Sequence, residues 1–279
     1  MQKLIWVFMI LIGIIYNQFH KLHYDKIKFN VIGFYTAESD LAHISFVNEA
    51  IPWFKQAAQK NNFRFESTNQ WKNLNEEFLK NYQVVVFLDT RPENDSQRIA
   101  FQNYMDHGGA WLGFHFAGFA LNKSKYEQNW PWYHESFLGV GQYKSNTWRP
   151  TTSILKTENM DHPVLNNIHH TFTSAPSEWY RWEKDLRPLS NFKILLSVDS
   201  SSFPLGTGPK PSEIWHSGYY PIAWTNSNYK MVYCNFGHND MDYEGKTNKT
   251  LSSTFSSDEQ NQFILNCLLW LGSSTRRDN

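Results

Sequence analysis

The segment DHGGAWLGFHFAG, at positions 106–118, restricts the fold of this chain more than any other. A glycine pair closes one element and a short apolar run follows. That run ends on a single polar side chain, His115, with Gly113 before it and Ala117 and Gly118 after it. Glycine accepts backbone angles that other residues resist, and small residues let a following helix pack close. The pattern predicts a sharp strand-to-helix turn that lifts His115 above the edge of a sheet. In hydrolases and amidotransferases such a turn displays a nucleophile. An imidazole in that place offers proton transfer or metal ligation instead.

The flanking sequence places this turn in a repeating pattern of strands and helices. Residues 27–35 read as a first strand, apolar on both faces from Val31 to Tyr35, as suits a strand covered on both sides. A polar loop at 36–43 leads to a helix at 45–61, and 63–68 reads as a weaker strand. A short helix near 75–80 precedes a strong buried strand at 83–89. A helix at 95–107 stops at Gly108 and Gly109, and a strand at 110–115 completes the half. Residues 119–190 are rich in aromatics and lack a regular period, which predicts a long elaboration with short strands such as 151–155. Regular structure returns with strands at 193–198, 222–224 and 230–236 and a helix at 257–271. The alternation predicts an α/β fold with a doubly wound, mostly parallel sheet of flavodoxin-like type, carrying an aromatic-rich insertion. With no repeat and no low-complexity linker, residues 25–273 read as one domain and 274–279 as a polar tail.

The 279 residues carry 26 basic and 26 acidic side chains, without a Lys/Arg run, so no nucleic-acid footprint is expected. Two cysteines, Cys234 and Cys267, are too few for a disulfide framework or a zinc knuckle. Lys3 precedes an uninterrupted apolar run at residues 4–15, which is short for a membrane span of about 20 residues. Residues 1–24 therefore read as a signal peptide or N-terminal anchor outside the fold. The protein is expected to be exported, periplasmic or membrane-anchored, with membrane association through residues 4–15. No small-x-small cleavage pattern follows the run.

In open α/β sheets, ligands bind beyond the carboxyl ends of the strands. Four strand ends carry polar residues to that rim: the 36–43 loop with His43, Asp89, His115, and the run His238, Asn239, Asp240. Each has a structural alternative. His115 could be a buried ring bonded to backbone, His238 a turn residue, and His43 a loop residue. Asp89 could cap an element or pair with Arg91. Glu178 lies among rings, where burial would raise its pKa and suit it to acid/base work; its alternative is a salt bridge to Arg181 or Arg187. Aromatic residues make up 17% of the chain, enough to stack the faces of a sugar or to cover an irregular region. Trp130, Trp132, Tyr133, Trp148, Trp179, Tyr180, Trp182, Trp215, Tyr219 and Tyr220 form this group. Asp161-His162-Pro163 reads as a turn fixed by proline.

Taken in order, these segments resemble the ThuA-like (trehalose-utilisation) family, whose fold belongs with class I glutamine amidotransferase-like proteins. The resemblance rests on the loop with His43, Val84 to Thr90, Gly108 to His115, Asp161 to Val164 and Ser177 to Tyr180. It continues through Pro221 to Trp224, Phe236-Gly237-His238 and the ending from Thr254 to Gly272. It implies sugar metabolism, particularly of disaccharides or their 3-keto forms. An active amidotransferase presents Cys at the elbow; here His115 stands there, as is usual for ThuA-like proteins, so glutaminase activity is not expected. Asn146 occupies a place where family members often carry His.

The expected function is a carbohydrate-processing enzyme working by general acid/base chemistry on a small-molecule carbohydrate. His115 is the central acid or base, His238 and Glu178 assist, and Asp89 orients. His43, Asn146, Trp148, Tyr180, Asn239 and Asp240 are expected to bind substrate. Removal of a proton beside a sugar carbonyl fits such a set. A divalent metal on His43, His115 and His238 is a variant of this reading, although no H-x-x-H spacing supports it. A non-catalytic sugar-binding or scaffold protein on the same rim is the alternative.

Overall fold

A computed structural model describes residues 27–38, 40–147, 149–199 and 220–273. The expected leader at 1–24, the tail at 274–279, and Trp148, Trp215 and Tyr219 lie outside the described residues. Strands β1 (Asn30–Phe34), β2 (Arg64–Thr68), β3 (Val84–Phe87) and β4 (Ala110–Phe114) come first in the chain. Then follow β5 (Tyr143–Asn146), β6 (Ile154–Thr157), β7 (Thr171–Thr173) and β8 (Tyr180–Trp182). The last are β9 (Phe192–Val198), β10 (Pro221–Asn226) and β11 (Lys230–Cys234). Nine of them form one sheet in the order β2-β1-β3-β4-β11-β10-β9-β6-β7, while β5 and β8 pair separately.

The sheet is mixed. From β2 to β11 neighbours run parallel, and from β11 to β7 they run antiparallel. The expected sheet was mostly parallel; the difference has a chain-length cause. Parallel neighbours need a crossover, which the helices α1 (Leu41–Asn61), α2 (Glu76–Leu79) and α3 (Asp95–Asp106) supply. β10 and β11 are separated only by Ser227, Asn228 and Tyr229, so they must return as a hairpin.

Alternate residues of the central strands enter two different cores. Val31, Val84, Val86, Leu112, Phe114 and Val232 face α1 and the final helix α4 (Asp258–Gly272). Ile32, Val85, Phe87, Trp111, Met231 and Tyr233 face α3 and the aromatic segment. Burial on both faces explains why these strands lack polar alternation. Phe101 of α3 is fully buried, with the rings of Phe87, Trp111, Trp130 and Phe137 around it. Most of the expected aromatic group proves to be packing of this kind. Tyr133 and Trp179 are fully enclosed, and Trp130, Tyr180, Trp182 and Tyr220 are buried. The short turn Trp132–Phe137 lies against Phe101 and Tyr229.

The start of α1 differs from the sequence reading. The helix begins at Leu41 because the Asp40 carboxylate accepts a hydrogen bond from the Ala42 amide at 2.9 Å, an N-cap. His43 therefore lies in the first helical turn instead of a loop, which fixes its direction. Among the described residues no helix is long and apolar enough to cross a membrane.

Replacing Phe101 with Ala is expected to cost about 3–5 kcal/mol in chemical denaturation. Ile99, on the exposed side of the same helix, should tolerate Ala within about 0.5 kcal/mol. Equal effects at the two positions would refute this assignment of the core.

Candidate active site

Strands β1, β3, β4 and β11 run parallel, so their carboxyl ends share one rim. His115 follows β4 directly, with φ +36°, in the left-handed region that non-glycine residues seldom occupy. It opens one tight turn, His115–Gly118, instead of the expected helix. The hydroxyl of Tyr233 donates to the His115 carbonyl at 2.7 Å and holds the turn. A side chain at Gly118 would press against that same tyrosine ring at 2.7 Å. After β11, Gly237 takes φ +114° and turns the chain so that His238 points back over the rim.

Three histidines from three separate elements converge here. One nitrogen from each of His43, His115 and His238 lies within 4.8 Å of the others. The His43 ring is 5.4 Å from that of His115 and 5.1 Å from that of His238, between centroids. Glu178, just before β8, completes the group: its Oε2 is 3.3 Å from His115 Nε2 and 3.7 Å from His238 Nε2. The Asn146 amide donates to the other oxygen, Oε1. The Tyr180 ring covers His115 at 4.1 Å between centroids. The sequence reading expected His115 to be displayed; it is completely buried, as are nearly all of His238 and Glu178. Glu178 does not take up the expected alternative either, since Arg187 pairs with Asp185 and Arg181 lies over Tyr220.

Burial sets the electrostatics. It pushes His115 well below the usual imidazole range, with His43 adding to the effect and Asp40 opposing it. It lowers His238 to about 3 against the pull of Glu178, and it raises Glu178 although His238 and His43 oppose that rise. For His115, His238 and Glu178 alike, burial outweighs the attraction of neighbouring charges and favours the uncharged form. Among the described residues, His43 Nε2 and His115 Nε2 have no hydrogen-bond partner. Buried orphan polar atoms of this sort are unusual in folded proteins, and a catalytic role or a bound molecule is among the explanations for them.

Beside the histidines lies a cleft of ≈ 920 Å³, large enough for a disaccharide-sized molecule. Its wall includes His43, Asp40, Asp89, Arg91, Trp71 and Phe116. His43 therefore belongs to both cleft and cluster, whereas His115, His238 and Glu178 stand behind it. Asp89 lies in the wall but outside the cluster. Its two oxygens accept from the amides of Thr36 at 2.8 Å and Ala37 at 2.5 Å, fixing the loop after β1. It does not pair with Arg91, which donates to His134 and to the Glu127 carbonyl. Burial raises the Asp89 pKa in spite of those amides.

Two further expected ligand-binding residues point elsewhere. Asn239 ties Ser45, Glu49 and Thr254 together, and Asp240 forms an ion pair with Arg149 at 2.8 Å. The residues that sequence reasoning missed are Asn235, whose amide nitrogen is 2.9 Å from His115 Nδ1, and the cleft residues Trp71, Lys125, Tyr126 and Tyr243. Asn235 carried a usable signal, since a lone amide inside an apolar run must find partners.

The ThuA family profile, described as trehalose utilisation, matches residues 32–271. The chain belongs to the ThuA family. This ThuA protein is similar to a ThuA-like protein from Bacteroides uniformis, with 31% identity and a TM-score of 0.77, over 89% of this chain and 93% of that one. It shares its fold with a ThuA-like protein from Parabacteroides merdae, at 17% identity and TM-score 0.60, over 90% and 92% of the two chains. No curated protein matches it significantly. Membership gives the ThuA protein a carbohydrate-related role.

The burial of the cluster has a pH signature. An unfolded imidazole takes up a proton near pH 6.5, whereas folded His238 remains neutral down to about pH 3. Between those values the unfolded chain binds more protons, so this group makes stability fall as pH falls. Glu178 acts in the opposite sense. Replacing His238 with Gln should flatten the acid-side decline of unfolding free energy by up to about 1.4 kcal/mol per pH unit. An unchanged slope would mean that the folded protein protonates His238 like an exposed imidazole.

Proposed function

We propose that this ThuA protein processes a carbohydrate, a disaccharide or keto-sugar, in the cleft beside His43, by general acid/base chemistry and without glutaminase activity. The observation that carries the reading is the orphan Nε2 of His43 in the wall of a sugar-sized cleft, backed by His115, His238 and Glu178. Such a set can take a proton from carbon beside a sugar carbonyl and protonate the carbonyl oxygen, giving an enediol. Return of a proton to the neighbouring carbon, with loss of the other hydroxyl's proton, isomerises the sugar, and departure of a protonated β-substituent eliminates it. His43 touches the substrate, and Glu178, held by Asn146, exchanges protons with the two histidines behind it.

The order β2-β1-β3-β4-β11, all parallel and covered on both faces, supports a doubly wound, flavodoxin-like sheet akin to class I glutamine amidotransferases. Glutamine hydrolysis would need a thiolate at the turn after β4. The residue there is His115, and both cysteines are buried, in β11 and α4. The apolar run at residues 4–15 supports an exported or anchored protein. A second reading, a sugar-binding protein without turnover, is favoured by the enclosure of His115 behind the cleft wall.

The full-length chain should convert a disaccharide or its 3-keto derivative, and His43→Ala or His115→Ala should lower the rate about 10²–10⁴-fold. Saturable binding with no turnover, unchanged by either substitution, would replace this reading with the binding protein. Release of ammonia from glutamine by the wild type would refute the absence of glutaminase activity.

A further inference from the structure

Asn235 follows β11 and is fully buried. Its Oδ1 accepts a hydrogen bond from the Tyr180 backbone amide at 2.6 Å. A backbone amide can only donate, so the orientation of the Asn235 side chain is settled: oxygen toward Tyr180, nitrogen toward His115. That nitrogen is 2.9 Å from His115 Nδ1 and can only donate as well. Nδ1 must therefore present its lone pair. A neutral imidazole carries one hydrogen, which leaves it on Nε2.

We infer that Asn235 locks His115 in its Nε2–H tautomer, making this histidine a proton donor at the site instead of a base or a metal ligand through Nε2. Burial supports the neutral ring that the argument requires. Nε2 lies 3.3 Å from Glu178 Oε2 without the alignment of a hydrogen bond, so its hydrogen is not committed to that carboxylate. A metal-bound histidine has the reverse arrangement: the ligating nitrogen bares its lone pair while the other nitrogen donates to a carbonyl or carboxylate. The spacing of the three rings suits a divalent ion, but the hydrogen bonding of His115 does not.

The inference assigns a role within the acid/base reading and rests on it for its functional meaning. If His115 donates, the base that accepts the proton from carbon is His43, the histidine in the cleft wall. Asn235 is then a positioning residue, acting through the ring that it orients.

The tautomer is read in the resting protein, without substrate, by two-bond ¹H–¹⁵N correlation on full-length protein labelled at histidine nitrogens. The resonance pair of His115 is the one lost in His115→Gln. Should that variant not fold, ring-to-ring contacts with Tyr180 identify it. The expected result is a pyridine-type shift at Nδ1 and a pyrrole-type shift at Nε2. In Asn235→Asp a carboxylate oxygen accepts from Nδ1–H, so the pattern should reverse, and zinc affinity should rise at least tenfold. A wild-type spectrum with the hydrogen on Nδ1 would overturn the inference, as would zinc titration of the wild type that shifts His115 Nε2 as a ligand. If Asn235→Asp does not fold, the wild-type spectrum alone decides. Loss of the acid/base reading would show as absent turnover and would leave this spectrum unchanged, so the two claims fail separately.

Discussion

β4 and β11 pair in parallel with Phe114 beside Cys234, and everything at the rim follows from that register. The next residue on each strand is His115 on one side and Asn235 on the other, so the amide and the imidazole become neighbours without any loop to bring them together. A slip of one residue would send every side chain of β11 to the opposite core, exchanging Tyr233 with its neighbours and removing the anchor of the His115 carbonyl. The two cores hold this register because both faces of both strands are packed. The chemistry at the site thus inherits its precision from hydrocarbon several ångströms below it.

The polar cluster works against folding. Each buried polar atom left without a partner costs about 1–3 kcal/mol, and the Nε2 atoms of His43 and His115 are of this kind among the described residues. Ionisation would give His115 and Glu178 a Coulombic attraction, yet desolvation moves both away from their charged forms. Burial thus favours the uncharged forms, while the Nε2 atoms of His43 and His115 remain unsatisfied. A bound hydroxyl-rich molecule would supply what the protein itself does not.

The central strands were legible in the sequence because two-sided burial writes itself as uninterrupted apolar runs, as at Val84 to Phe87. The turn at His115 was legible from its small neighbours, but not its burial, because Tyr180 arrives from a strand some 65 residues away. This separation is the reason the ring was expected in the open. The position of His43 depended on one capping carboxylate, Asp40, that read as part of a polar loop. Asn239 and Asp240 looked like rim residues because they follow His238, and only the tertiary contacts to Glu49 and Arg149 reveal them as ties. The antiparallel half was hidden for another reason: short strands after an irregular region give no sign of their direction.

Asp89 grips the loop after β1 through the amides of Thr36 and Ala37, and Ala37 sits at φ +53°. A main-chain N–H is common to all residues but proline, so the curvature of this lip owes little to which side chains it carries. The lip borders the cleft through Thr36 and Glu38. Variation there could retune which ligands are admitted while its shape persists, as though the mouth of the vessel were cast separately from its glaze.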